Sequence, residues 1–263
     1  MGESIFLYNK YTMKNKSQDS DNKSAWNNHA LRYFKKSNFS YKIIDFGDAR
    51  YATDDDLKLI PDVHGKSILE LGCGGANVGI ALAKRGAKVT CVDISSVHLD
   101  VAKQKAQEHH VEIDFIESSI EKLDFSQFEK FDIVISICAL QYVPNLSVTF
   151  EKVYNSLHRS GCFIFSTNDP VFYSVASKFL WNEENLQPSY FYQGDEQWKW
   201  EEEDDYEFTT YRYPIDYHIN NLIKAGFSID SFHQLQPISN VEESDEGQLE
   251  NLFPRIMVFK CLA

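Results

Sequence analysis

A chain of 263 residues can bury a sizeable core and fits one large domain with room for an insertion. Its 39 Asp and Glu against 26 Lys and Arg give a formal charge of −13, the reverse of the basic stripe that phosphate neutralisation demands of a nucleic-acid binder. The balance speaks against a nucleic-acid partner and for a small-molecule substrate.

The opening MGESIFLYNK lacks the basic, apolar pattern of a signal peptide, and Phe6 stands where a myristoylation site needs Ser or Thr. No apolar run approaches the roughly 20 residues of a membrane span, so the chain reads as cytoplasmic with no membrane partner. The cysteines (Cys73, Cys91, Cys138, Cys162, Cys261) are dispersed and form no CxxC pair. They predict buried thiols in a reducing compartment and no metal site. Residues 1–65 are polar, with one amphipathic, helix-compatible segment, AWNNHALRYFKK.

From Lys66 onward, apolar runs alternate with helical patterns. SILEL, KVTCVD, EIDFIE, FDIVISI and CFIFST suit strands buried on both faces of a parallel sheet. ANVGIALAKRG, SSVHLDVAKQKAQEH and LSVTFEKVYNSLHRSG lie between them at helical spacing, two of them ending at Gly86 and Gly161 as helices commonly do. Residues 168–213 interrupt the alternation with aromatics and charge but no clean period. IDYHINNLIKAGF then reads as a helix, and SIDSFHQLQ and RIMVFKCL as strands that a short return would make antiparallel. The pattern predicts an α/β fold, a doubly wound, mostly parallel seven-stranded sheet. The core spans 66–263, with 168–213 inserted after the fifth strand.

The chemistry centres on ILELGCGGANVG. A P-loop would need G-x-x-x-x-G-K-[ST], which is absent. The dinucleotide pattern G-x-G-x-x-G is met by Gly72 and Gly74 but breaks at Asn77, where close helix–strand packing normally requires Gly or Ala. Glu70 precedes the first glycine by two positions. Asp93 closes the second strand, where a carboxylate can accept hydrogen bonds from both hydroxyls of a ribose.

With FIESSIEKLDF, FDIVISICALQYVPN, LHRSGCFIFSTNDP and RYPIDYHINNLIKAGFSIDSF following in order, the sequence resembles the class I S-adenosylmethionine-dependent methyltransferases of the small-molecule branch. The resemblance runs from Trp26 to the C-terminus. It implies a Rossmann-like methyltransferase fold and S-adenosylmethionine as cofactor, an amino-acid tail replacing the pyrophosphate of NAD. Under it, Gly72, Cys73 and Gly74 face the methionyl end, and Glu70 adds negative charge near its ammonium. Asp93 holds the ribose and Ile94 packs on the adenine. Ser119 stands where many members have an adenine-binding Asp, and the Ile120 amide and Ile137 carbonyl approach the cofactor. Trp26 and Tyr33, spaced W-x-x-x-A-x-x-Y, resemble the family's N-terminal lid, which makes 1–65 a lid segment and 168–213 a substrate cap. Gln141 replaces a frequent His, which argues against a His-centred base.

The expected reaction is methyl transfer to an N or O atom of a small molecule. The aromatic and acidic cap leans toward an amine. A hydroxyl acceptor would want a base, for which Tyr142 and His233 are the candidates. Structural readings stand beside these: Tyr142 as packing, His233 as an interior histidine, Asp93 as a helix cap although Ser95 could serve. The alternative functions are a non-catalytic S-adenosylmethionine-binding scaffold and a protein methyltransferase.

Overall fold

Five continuous apolar runs become parallel neighbours in one sheet: β1 (Ser67–Leu71), β2 (Lys88–Asp93), β3 (Ile113–Glu117), β4 (Phe131–Ile137) and β5 (Leu157–Asn168). The computed structural model describes residues 18–36, 39–47, 50–179, 189–199, 205–238 and 245–263. Residues 1–17 of the expected lid segment, and Trp181 and Trp200 of the insertion, lie outside them. Two further strands, β8 (Ser228–Leu235) and β9 (Ile256–Leu262), complete the order β3-β2-β1-β4-β5-β9-β8. β9 runs antiparallel to both neighbours, as the two C-terminal runs predicted.

Side chains that alternate along each strand feed two cores. Ile68, Val89, Cys91, Ile133 and Ile164 join the face covered by α3 (Asn77–Lys84) and α4 (Ser96–Glu108). Leu69, Leu71, Val92, Val134 and Phe163 join the face covered by α5 (Leu146–Ser156) and α7 (Ile215–Ala225). Burial on both faces is why β1, β2, β4 and β5 read as unbroken apolar runs, whereas β3, expected to be buried likewise, is an edge strand with no fully buried residue. The switch between β1 and β4 opens a crevice at the carboxyl ends of the strands, the place where open α/β sheets receive ligands.

Two expectations need correction. The helix expected to end at Gly161 ends at Ser156, and β5 begins at Leu157, whose side chain is buried in the second core. Gly161 lies inside that strand, where a Cβ would come within 2.9 Å of the His158 carbonyl and 3.0 Å of the Asp132 carbonyl. Close backbone approach, not a helix end, therefore requires it. The aperiodic insertion also contains regular structure: α6 (Pro170–Phe179), then β6 (Gly194–Trp198) and β7 (Phe208–Arg212), paired as a separate antiparallel hairpin. The N-terminal helix α1 (Gln18–Lys36), the short α2 (Asp54–Leu57) and α8 (Asp245–Leu252) complete the elements. Among the described residues no helix is long and apolar enough to cross a membrane.

Candidate functional site

The loop between β1 and α3 turns tightly because Gly72 and Cys73 both donate their N–H to the Val92 carbonyl, at 2.8 and 3.0 Å. Gly72 has φ +73°, and a Cβ there would lie 2.2 Å from the Ala139 Cβ, so only glycine lets this loop pass the turn after β4. Asn77 opens α3 and lines the crevice. The close helix–sheet packing that a dinucleotide fold assigns to its third glycine falls two positions later. A Cβ on Gly79 would meet Glu70 Oε2 at 2.6 Å and Cys91 Sγ at 2.7 Å.

Glu70 lies at the base of this loop and lines the cleft. Its carboxyl is buried, accepting a hydrogen bond from Cys91 Sγ at 3.2 Å and another from the Gly79 N–H. It thereby satisfies one of the orphan amides at the start of α3, whose N-cap, Ala76, offers no side-chain acceptor. Burial pushes its pKa up to about 8, against the lowering effect of those two bonds. Burial thus disfavours the charged form of this side chain.

Asp93 anchors the tip of β2. Its Oδ2 accepts from the Gly74 N–H at 2.8 Å and its Oδ1 from the Ser95 N–H at 2.9 Å. Ser95 is the N-cap of α4, its hydroxyl accepting from the His98 N–H at 3.1 Å, so Asp93 is released from that duty. His98, from the first turn of α4, brings Nδ1 within 3.8 Å of Asp93 Oδ1 while its buried Nε2 has no hydrogen-bond partner among the described residues. Desolvation holds the imidazole pKa below its usual value, although Asp93 pulls the other way.

All eleven residues expected at the cofactor line one cleft: Trp26, Tyr33, Glu70, Gly72, Cys73, Gly74, Asp93, Ile94, Ser119, Ile120 and Ile137. Tyr142 lines it too. Ile94 and Ser118–Glu121 wall the side over β2 and β3, and Ile137, Cys138, Ala139, Tyr142 and Val143 the side over β4. Trp26 closes the top, its ring 5.3 Å from His98, 5.5 Å from Tyr142 and 4.8 Å from Phe208 of the hairpin. Gln141 is structural: its Nε2 donates to the Cys138 carbonyl at 2.6 Å and shapes the turn that presents Tyr142. The Tyr142 hydroxyl is held well above the usual phenol range, chiefly by desolvation and then by Tyr173 and Tyr33. It suits packing or hydrogen-bond donation rather than proton abstraction.

His233 is not brought to this site. It sits on β8, the outer edge strand, opposite Val258 of β9, so β9 and β5 separate it from β4. Its position in a C-terminal apolar run suggested proximity that the strand order denies. Sequence reasoning missed Asn22, Phe39, Asp45, Gly47, His98 and Cys138, all of which line the cleft. His98 carried a readable signal, five residues after Asp93 and in the first turn of its helix. Phe39, Asp45 and Gly47 come from a segment without periodicity and carried none.

The chain matches the model of a methyltransferase domain over residues 62–211. It is 37% identical over 111 residues to a ubiquinone biosynthesis O-methyltransferase of Actinobacillus pleuropneumoniae serotype 7, a match covering 40% of this chain and 47% of that protein. The chain thus spans about half the length of the ubiquinone-pathway relatives it matches. An uncharacterized Haemophilus influenzae protein is 28% identical over 189 residues, covering 68% of this chain and 73% of that one. Among solved structures, a Listeria monocytogenes protein assigned to the S-adenosylmethionine-dependent methyltransferases aligns with TM-score 0.66 and 28% identity, covering 78% of this chain and 93% of the other. A Mesorhizobium loti S-adenosylmethionine-dependent methyltransferase shares the fold, with TM-score 0.60, 20% identity and coverage of 79% and 95%.

Proposed function

Because the chain belongs to the class I S-adenosylmethionine-dependent methyltransferase family, we propose that it moves a methyl group from S-adenosylmethionine to an N or O atom of a small molecule. The cleft suits that cofactor on its own chemistry. The bare backbone at Gly72–Gly74 accommodates an amino-acid tail, Asp93 offers a carboxylate where a ribose would lie, and Ile94 and Ile120 form an apolar slot. When bound, the cofactor supplies a methyl already activated on a sulfonium. The protein holds the acceptor in line about 3 Å from that carbon, excludes water and offsets charge. Trp26 and Tyr33 cover the methionyl end as a lid, and the β6–β7 hairpin with α6 caps the acceptor side. The acidic balance of the chain favours a small acceptor over a nucleic acid.

The observation that carries this reading is Asp93, freed from helix capping by Ser95 and tied to the glycine loop through Gly74. Calorimetry with S-adenosylhomocysteine tests it. The wild type binds, and Asp93→Ala binds at least about tenfold more weakly, the loss of one charged hydrogen-bonding group. Equal affinity would remove Asp93 from the site. No binding by the wild type would remove the function.

A further inference from the structure

We propose that Arg212 anchors the acceptor molecule and that this acceptor is an amino or hydroxy acid held by its carboxylate, an inference that rests on the methyltransferase reading above. The Arg212 side chain is 10% exposed, against 28% for its partner Glu196. Glu196 grips one edge of the guanidinium, accepting from Nε and from Nη2 at 2.6 Å each. The remaining nitrogen, Nη1, is buried and has no hydrogen-bond partner among the described residues. A buried N–H left without an acceptor is costly, most of all on a charged group. Glu196 keeps part of its contact with water, whereas Nη1 has neither water nor an acceptor.

The hairpin sets this group against the walls of the cleft. Side chains alternate along a strand, so Phe208, Thr210 and Arg212 share one face of β7, while Tyr211 joins the second core from the other. On the Arg212 face, Phe208 packs against Trp26 at 4.8 Å, and Trp26 lies 5.5 Å from Tyr142. β7 also packs on the Leu140–Tyr142 turn. From the opposite direction α6 brings Tyr173, whose ring centre lies 5.7 Å from the guanidinium carbon. Tyr173 is an electrostatic neighbour of Tyr142 and Cys138, both of which line the cleft. Trp26, Tyr142, Tyr173, Arg212 and Phe208 therefore close a circuit of neighbours at the side that the hairpin and α6 cap.

The chemistry of this circuit selects the ligand. Its walls are aromatic, and its unsatisfied group is an N–H of a cation. A second cation, Arg255, hydrogen-bonds the Tyr173 side chain. The nearby carboxylates have other tasks: Glu196 on the fork, Glu250 between Arg50 and Arg255, and Asp169 on the Val171 N–H and the Gln234 amide. A carboxylate takes up hydrogen bonds from a guanidinium better than any neutral group. It would satisfy Nη1 and leave the nucleophilic N or O of the same molecule unencumbered.

The test does not require the natural acceptor. Ligand-observed NMR titrations compare two carboxylates with their uncharged amides, benzoate with benzamide and butyrate with butyramide, on protein saturated with S-adenosylhomocysteine. In the wild type at least one carboxylate binds about tenfold more tightly than its amide. Arg212→Gln removes that preference while its S-adenosylhomocysteine affinity stays within about twofold, and Arg212→Lys recovers part of the preference. No preference in either pair overturns the proposal, and so does one that survives Arg212→Gln. An equal loss of S-adenosylhomocysteine affinity in Arg212→Gln would make Arg212 merely structural and overturns it as well. Wild-type protein that binds no S-adenosylhomocysteine would instead overturn the cofactor reading, and the acceptor site would fall with it.

Discussion

Glu70 shows how a motif residue can keep its place in a pattern while changing its chemistry. A carboxyl in an E-x-G-x-G sequence suggests a fixed negative charge, but burial raises its pKa from 4.5 to about 8. Between these values the unfolded chain has released a proton that the folded chain retains. Stability must therefore fall as pH rises through that window, by on the order of a few kcal/mol. Denaturant unfolding of the wild type and of Glu70→Gln, which keeps the shape and the acceptor oxygen without the titration, separates this loss at pH 5.5 and pH 8 from the buried His98 and His218, whose lowered pKa values favour the fold as pH rises. The wild type should lose stability relative to Glu70→Gln over this range. An equal change in both proteins would show that Glu70 is ionised within the fold. The contrast with Asp93 is one of environment. Asp93 sits at a strand tip and receives two backbone N–H groups.

At the scale of elements, α3 depends on an absent side chain. An exposed helix-interior Gly→Ala change normally stabilises by about 1 kcal/mol. In α3 the sign should reverse, because the new methyl would press on Glu70 Oε2 and Cys91 Sγ at 2.6 and 2.7 Å. Gly79→Ala should lose about 1–3 kcal/mol through overpacking, read as a lower denaturation midpoint with an unchanged m-value. A stabilised variant would mean that the helix can shift outward freely. Elements that obey one dominant rule were legible in advance: doubly buried strands as continuous apolar runs, and α7 as a helix ended by Gly226 at φ +112°. The β6–β7 hairpin was not legible. β6, Gly-Asp-Glu-Gln-Trp, has only half-buried residues on its inner face, while Phe208–Tyr211 are buried without alternation. Its Arg212 forks onto Glu196, with two contacts of 2.6 Å, across a pairing that no local periodicity announces. The site divides in the same way. Residues attached to strand ends could be placed from their motifs, whereas Phe39, Asp45 and Gly47 depend on how a separate segment folds over those ends.

The whole molecule assembles its cleft from parts distant in sequence, and α1 joins them. Asn22 exchanges two hydrogen bonds with the backbone of Thr209 in β7, at 2.8 and 3.0 Å. One helical turn on, Asn27 Oδ1 accepts from the Ser95 hydroxyl at 2.7 Å and so reaches the cap of α4. Trp26 lies between these two ties and touches the β4 turn through Tyr142. A ligand under Trp26 thus contacts an element already bonded to the hairpin on one side and to the Asp93 region on the other. Binding should stabilise these segments together, because local opening of any one would expose the ligand and is opposed by its affinity. Hydrogen exchange with and without saturating S-adenosylhomocysteine should show slower exchange in residues 22–34, 39–47 and 205–212 as well as in the glycine loop and the tip of β2. In Asn22→Ala the protection at 205–212 should weaken while that of the glycine loop persists, since the variant removes the two bonds to Thr209 and leaves the contact of Trp26 with Phe208. Protection confined to the glycine loop in the wild type would show instead that α1, the 39–47 segment and the hairpin move independently of the occupied cleft.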